Sequence, residues 1–371
     1  MIQSRRLRVF LFGASSAIFT VNLLSNLIDP SSKSQPVTND NNVDENYVGA
    51  IKMNRKSLPI SAQKTTTTIQ PSASESTETP TGNISVTHPT PSEYLIVERN
   101  VCQQRDDAQL LVVVHSHPAH YKRRMFIRKS WANQAHYRAL KLVTMFFTGL
   151  AENTTNRRKV SMQLQRESEL YGDIVQSSFV DTYRNLTYKA KSWLRWTSEF
   201  CPNIPFVLKV DDDVVLDSGK LMKHLTHMTQ KQHGTNMTVV RSRKSKWFVT
   251  ETEFNQSRYG PYCSGAAYLL SGDLIAKFHN ATERVPFFWV DDYYVTGMLT
   301  AAVGARFNRM NTIYALGSDD NVDKKVDLML NDNVIFVHMP RTSENDKALM
   351  WRQIVDNWKL DSSLSANALQ H

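Results

Sequence analysis

Short, predominantly apolar runs recur through the latter part of the chain, at Leu110 to Val114, Leu142 to Phe147, Phe206 to Val210, Ala266 to Leu270 and Val334 to Val337. A strand with one face in water alternates polar and apolar residues, whereas a strand covered on both faces does not. These runs therefore predict a buried, largely parallel sheet. Helical spacing appears between them. Tyr188 to Phe200 places Trp193, Leu194 and Phe200 near one face, and Gly219 to Gln230 spaces Leu221, Leu225 and Met228 at i, i+4 and i+7. Ser271 can cap a helix bearing Leu274, Ile275 and Phe278, and a further helix is expected through Val295 to Ala302. Strands alternating with helices, with no internal repeat, give an α/β class.

The first hundred residues read differently. Residues 9–28 carry no formal charge and are rich in Phe, Leu, Ile and Val, behind Arg5, Arg6 and Arg8. That length can cross a bilayer as one helix, and the arginines favour a cytosolic N-terminus. Asn22, Ser25, Asn26 and Asp29 fit poorly with a signal-peptide cleavage site, which favours an uncleaved anchor. From residue 29 to about residue 100 the composition turns to Ser, Thr, Pro, Asn and Gln, too poor in apolar surface to offset ordering entropy. The expected plan is a cytosolic tail at 1–8, a signal-anchor helix at 9–28, a flexible stalk at 29–100 and a catalytic domain at 101–371.

The sequence has 371 residues and a formal net charge of +9. A domain held beyond a membrane rarely meets nucleic acid, so no nucleic-acid partner is expected. The clusters Lys122-Arg123-Arg124, Arg157-Arg158-Lys159 and Arg241 to Lys246 could serve a phosphate, an acidic glycan or anionic lipid, with a solvated face the default for the last two. Cys102, Cys201 and Cys263 allow one internal disulfide, its pairing open. Sequons at Asn83, Asn153, Asn185, Asn236, Asn255 and Asn280 agree with a secretory route, and all except Asn185 are taken as N-glycosylation candidates.

The chemistry concentrates where Phe206 to Val210 runs into Asp211, Asp212 and Asp213. Carboxylates crowded at a strand end repel one another unless a cation lies between them, and oxygen donors suit Mg or Mn. In an extended segment successive side chains alternate faces, so Asp211 and Asp213 are expected to share a face as metal ligands and Asp212 to point away, to ribose or a helix N-terminus. The alternative is a solvated acidic turn.

Further motifs follow in order: Arg123 to Trp131, Glu167 to Tyr171 with Asp173-Ile174, Asp181 to Lys189, Lys209 to Val214, Tyr259 to Gly265 and Val290 to Tyr293. This series resembles that of the β-1,3-galactosyltransferases and β-1,3-N-acetylglucosaminyltransferases of glycosyltransferase family 31, over roughly residues 108 to 358. The resemblance implies a GT-A, Rossmann-like nucleotide-sugar transferase fold. It further implies a type II Golgi membrane enzyme using a UDP-sugar donor and Mn (or Mg) to elongate glycans on glycoproteins or glycolipids. UDP-galactose is the expected donor, with UDP-N-acetylglucosamine as the alternative. A non-catalytic glycan-binding relative and a two-carboxylate glycosidase are the rival classes, and a homo-oligomer is compatible with the sequence.

By the same resemblance Asp292 is the catalytic base, and His338 joins Asp211 and Asp213 as a metal ligand. Arg123, Arg128, Asp181, Lys189 and Asp212 are expected nucleotide-sugar contacts. Tyr293 stands where the family pattern has valine, and Thr296-Gly297 falls one residue further on, a local departure in the geometry beside the base. Trp193 and Trp196 are read as core, and Phe287-Phe288-Trp289 as a candidate acceptor platform.

Overall fold

The computed structural model describes residues 49–52, 93–133, 141–226, 235–309, 314–315, 321–331 and 334–360, all within one unit, Asn46–His371. The expected anchor and Asn83 lie outside the described residues. Among those described, no helix is long and apolar enough to cross a membrane.

The apolar runs do form the central sheet. β3 (Leu110–His115), β4 (Leu142–Leu150), β5 (Ile174–Val180) and β6 (Phe206–Asp211) lie parallel in the order β5-β4-β3-β6. β10 (Ala267–Ser271) runs antiparallel beside β6, and β1 (Gly49–Lys52) and β11 (Arg306–Arg309) extend that edge. β2 (Tyr94–Ile96) closes the other edge against β5. β1 and β2 come from the stretch read as stalk; strands of three or four residues leave too little pattern to stand out against polar surroundings.

Alternation along the buried strands divides two cores. Leu110, Val112 and Val114 of β3 and Leu208 and Val210 of β6 face one side. There they meet α2 (Tyr121–Lys129), α3 (Thr154–Tyr171), α5 (Ser218–Thr226), α8 (Val322–Asn331) and α9 (Glu344–Leu360). Leu111, Val113 and Val207 face the other side, against α4 (Leu186–Phe200), α6 (Ile275–Ala281) and the helical stretch leading into α7 (Thr300–Val303). Trp193 and Trp196 are fully buried in this second core, as expected. α1 (Val101–Gln104) is tied to the end of α4 by a Cys102–Cys201 disulfide, leaving Cys263 as a buried thiol.

Smaller sheets flank the core. β7 (Val214–Leu216), β12 (Tyr314–Ala315) and β13 (Phe336–His338) form one; β8 (Thr235–Thr238) and β9 (Arg258–Tyr262) pair as another. β13 pairs antiparallel with β7, setting His338 opposite Val214. The expected strand at Val334 thus forms two residues later and outside the main sheet. The chain goes from β3 outward to β4 and β5, then returns to place β6 on the other flank of β3. Strand order reverses there, and in open α/β sheets such a reversal opens a ligand crevice beyond the carboxyl ends. His115 and Asp211 pair in register at those ends.

Candidate active site

The triplet does not keep the strand's alternation. β6 ends at Asp211, so only that residue shares a face with Val207 and Lys209. Lys209 Nζ, buried, donates to Asp211 Oδ1 at 2.6 Å and to the Gly265 carbonyl. Burial would deprotonate this amine, but Asp211 and Asp291 outweigh it and raise its pKa. Asp211 itself is pushed up to about 6 by burial, against the pull of Lys209 and with the push of Asp213.

Asp212 and Asp213 turn to the other side, toward the first turn of α2. Ser116 Oγ donates to Asp212 Oδ2 at 2.8 Å, His120 Nδ1 lies 2.8 Å from the same oxygen, and Arg123 Nη1 donates to Oδ1 at 2.7 Å. Burial opposes ionisation of Asp212, yet His120 and Arg123 hold it well below the ordinary carboxylate range. Asp213 Oδ2 shares Arg123 Nη1 at 3.4 Å, and its Oδ1 lies 3.4 Å from His338 Nε2. The expectation that Asp211 and Asp213 share one face is thus corrected: they flank the end of β6, because extended geometry stops at Asp211.

A second acidic cluster faces Lys209 from the helix following Trp289. Asp292 Oδ1 accepts from the Tyr293 amide at 2.8 Å, at the start of a π-helical stretch, Tyr293–Leu299. A π turn takes up one residue more than an α turn, and Thr296 and Gly297 lie within it. A β-carbon on Gly297 would lie 2.5 Å from the Tyr293 ring, and one on Gly265 would lie 3.1 Å from Asp292 Oδ2. Glycine at 265 gives the carboxylate its room. Burial, then Asp291, push Asp292 up to about 7. Tyr262 packs edge-on to Tyr293, and Tyr259 packs against both, walling this side with aromatic rings.

The remaining expected residues separate. Lys189 Nζ binds Asp181 Oδ1 and the Ser116 carbonyl, each at 2.9 Å, while Asp181 Oδ2 accepts from the Gly149 amide. Both side chains are buried and engaged by the protein, so they brace the loop that carries Ser116. Arg128 lies elsewhere: its guanidinium is spent on Asp173, which precedes β5, and on Glu167. That is the amino end of the sheet, opposite the triplet, so the nucleotide-sugar role expected for Arg128 is withdrawn. Phe288 and Trp289 are buried under neighbouring rings and offer no open platform.

A family model described as Galactosyltransferase matches residues 122–311, just over half the chain and spanning both acidic clusters. The chain belongs to this galactosyltransferase family. It is 31% identical over 221 residues to β-1,3-galactosyltransferase 5 of Pan troglodytes, covering 57% of this chain and 71% of that protein. It is 32% identical over 255 residues to the acetylgalactosaminyl-O-glycosyl-glycoprotein β-1,3-N-acetylglucosaminyltransferase of Mus musculus, covering 66% and 64%. Human UDP-GalNAc:β-1,3-N-acetylgalactosaminyltransferase 1 matches at 32% over 208 residues, covering 54% and 62%. Among solved structures, a glycosyltransferase involved in the glycosylation of the major capsid of PBCV-1 gives a TM-score of 0.36 at 10% identity, covering 66% of this chain and 98% of that one.

In this galactosyltransferase-family chain, no three His, Cys, Asp or Glu side chains among the described residues stand close enough to hold a metal together. Asp213 Oδ1 is nevertheless buried without a hydrogen-bond partner and faces His338. One carboxylate oxygen and one imidazole nitrogen are donors of the kind that Mg or Mn accepts, so Asp213 and His338 would fit such a cation. Sequence reasoning missed Ser116, His120 and Lys209. Lys209 carried a signal: a lone cation inside an otherwise apolar run, two residues from a carboxylate on the same face.

The sequons also sort. Asn153 is exposed and caps α3 through its Oδ1, which leaves its Nδ2 for a glycan; Asn255 and Asn280 are exposed. Asn236 lies in β8. Asn185 Nδ2 donates to the Val180 carbonyl at 2.8 Å, so its amide nitrogen is engaged.

Proposed function

We propose that this β-1,3-hexosyltransferase works by one inverting displacement, with Asp292 as base and the side chains around Asp213 holding the leaving nucleotide diphosphate. One observation carries the reading. Two separate acidic clusters meet at the strand-order reversal, and the one carboxylate pushed up to about 7 lies against glycine and aromatic rings instead of an arginine.

The acceptor hydroxyl would rest on Asp292. As its oxygen forms the new bond to the anomeric carbon, Asp292 takes the proton, and the bond to the phosphate oxygen breaks with its electron pair leaving on the diphosphate. A base with a pKa near the working pH suits this transfer, because it is ionised yet still proton-hungry. Arg123 presents fixed positive charge toward the diphosphate, braced by Asp212. His120 and Ser116 hold Asp212 in turn. Asp213 and His338 would hold a divalent cation, which when bound neutralises charge on the diphosphate. Lys209 offsets the negative charge of Asp211 beside the base.

Relatives named for transfer of galactose, N-acetylglucosamine and N-acetylgalactosamine all match at similar identity. UDP-galactose remains our preferred donor and UDP-N-acetylglucosamine the alternative, with a glycan acceptor on glycoprotein or glycolipid. We place the enzyme in the Golgi membrane with type II topology, on the strength of residues 1–28. The test is a donor screen. Full-length protein, with Mn, Mg or chelator, is given each UDP-sugar and acceptors ending in β-linked galactose, N-acetylglucosamine or N-acetylgalactosamine. Transfer from a UDP-hexose that chelator abolishes supports the reading; transfer undiminished by chelator removes the cation from it.

A further inference from the structure

The basic stretch from Arg241 to Lys246 is not a loose solvated run. Arg241 donates to the carbonyls of Val249, Phe254 and Gln256, pinning the loop to itself. This leaves Arg243, Lys244 and Lys246 exposed on a fixed support. Lys246 Nζ sits 4.5 Å from the Trp247 ring centre and 5.5 Å from that of Tyr183. Among the described residues it makes no ion pair with a carboxylate, so rings position the ammonium and its charge remains available.

Tyr183 ties this loop to the reaction centre. It follows β5, is 43% exposed, and lies 6.2 Å from the ring of Trp289, three residues before Asp292. Trp289 is covered in turn by the Arg184 guanidinium at 4.1 Å, which pairs with Glu253. The exposed ring beside the base is therefore Tyr183, rigidly backed and with an ammonium over it. Hexoses present an apolar face of C–H groups that packs on such a ring. A neutral sugar needs no cation there, and a sugar bearing negative charge near Asp291 and Asp292 does.

We propose that Tyr183, Trp247 and Lys246 form an acceptor subsite for a pyranose bearing an anionic group, with Arg243 and Lys244 extending the positive field. This rests on Asp292 being the base that receives the acceptor hydroxyl. The subsite would favour acidic glycans, whether carboxylated, sulfated or phosphorylated, over their neutral counterparts.

Binding tests it separately from turnover. With the full-length protein and UDP, dissociation constants are measured for methyl β-galactoside, its 6-sulfate and 6-phosphate, and methyl β-glucuronide at two ionic strengths. The expected result is about five- to tenfold tighter binding of charged probes at low salt, shrinking as salt rises. Lys246→Gln should remove most of that preference, Lys246→Arg should keep it, and Tyr183→Ala should weaken every probe; unchanged melting temperatures exclude misfolding. The difference between sulfate, phosphate and carboxylate arms identifies the anion. Equal affinity for neutral and charged probes, no detectable binding of any probe, or a preference surviving Lys246→Gln would overturn the proposal. Loss of transfer with this binding pattern intact would count against the catalytic reading alone.

Discussion

If Asp292 is the base, acceptor turnover must follow its ionisation. Burial and the neighbouring Asp291 raise this carboxyl to about 7, while the Tyr293 amide and Lys209 hold it down. Only the carboxylate can accept a proton, so activity is lost on the acid side and gained as pH rises. About one tenth of the enzyme is competent at pH 6 and about nine tenths at pH 8, so kcat/KM for the acceptor should rise roughly tenfold between them. Two substitutions should move the midpoint in opposite directions. Asp291→Asn removes a like charge and shifts the limb toward acid; Lys209→Met removes a cation and shifts it toward alkali. The assay is initial rate against acceptor at saturating donor, fixed ionic strength and half-unit pH steps. Asp292→Asn should lower kcat by about a hundredfold or more and abolish the limb, leaving UDP binding largely intact. A flat profile between pH 6 and 8, or the same limb in Asp292→Asn, refutes the reasoning.

Gly265→Ala places a β-carbon 3.1 Å from Asp292 Oδ2, so the carboxylate must shift. Kinetics should show kcat down about ten- to a hundredfold with little change in melting temperature. Glu167→Ala strips the fully buried Arg124 of its bidentate partner, at 2.8 Å through two nitrogens. Urea unfolding should report a loss of about 3–5 kcal/mol. The Cys102–Cys201 bridge spans a sequence separation of 99, and Cys102→Ser with Cys201→Ser should lower stability by about 2–5 kcal/mol in the same assay.

The strands were legible because burial on both faces leaves a predominantly apolar run, and β3, β4, β6 and β10 all lie where such runs occur. The acidic triplet and Asp291-Asp292 were legible as clusters; their partition was not. Strand alternation predicts side-chain direction only while the backbone stays extended, and it stops at Asp211, sending Asp212 and Asp213 toward Arg123. Arg123 and Arg128 look equivalent in a basic helix. Five residues apart, they differ by roughly 140° around and about 7.5 Å along the axis, enough to send one to the cleft and the other to the far end of the sheet. Lys209 was visible as an anomaly, but its meaning depends on Asp291 and Asp292, which only the folded chain brings near. Tyr293 and Thr296-Gly297 were visible as local departures too; that they lie in a π-helical stretch needed the backbone.

The central claim is a single displacement in which Asp292 deprotonates an attacking hydroxyl on the face opposite the leaving diphosphate. The anomeric configuration of the product tests it most directly, read by NMR after transfer from an α-linked UDP-hexose to a β-galactoside or β-N-acetylhexosaminide. A β-1,3-linked hexose is the predicted outcome. An α-linked product would mean retention and contradict the mechanism.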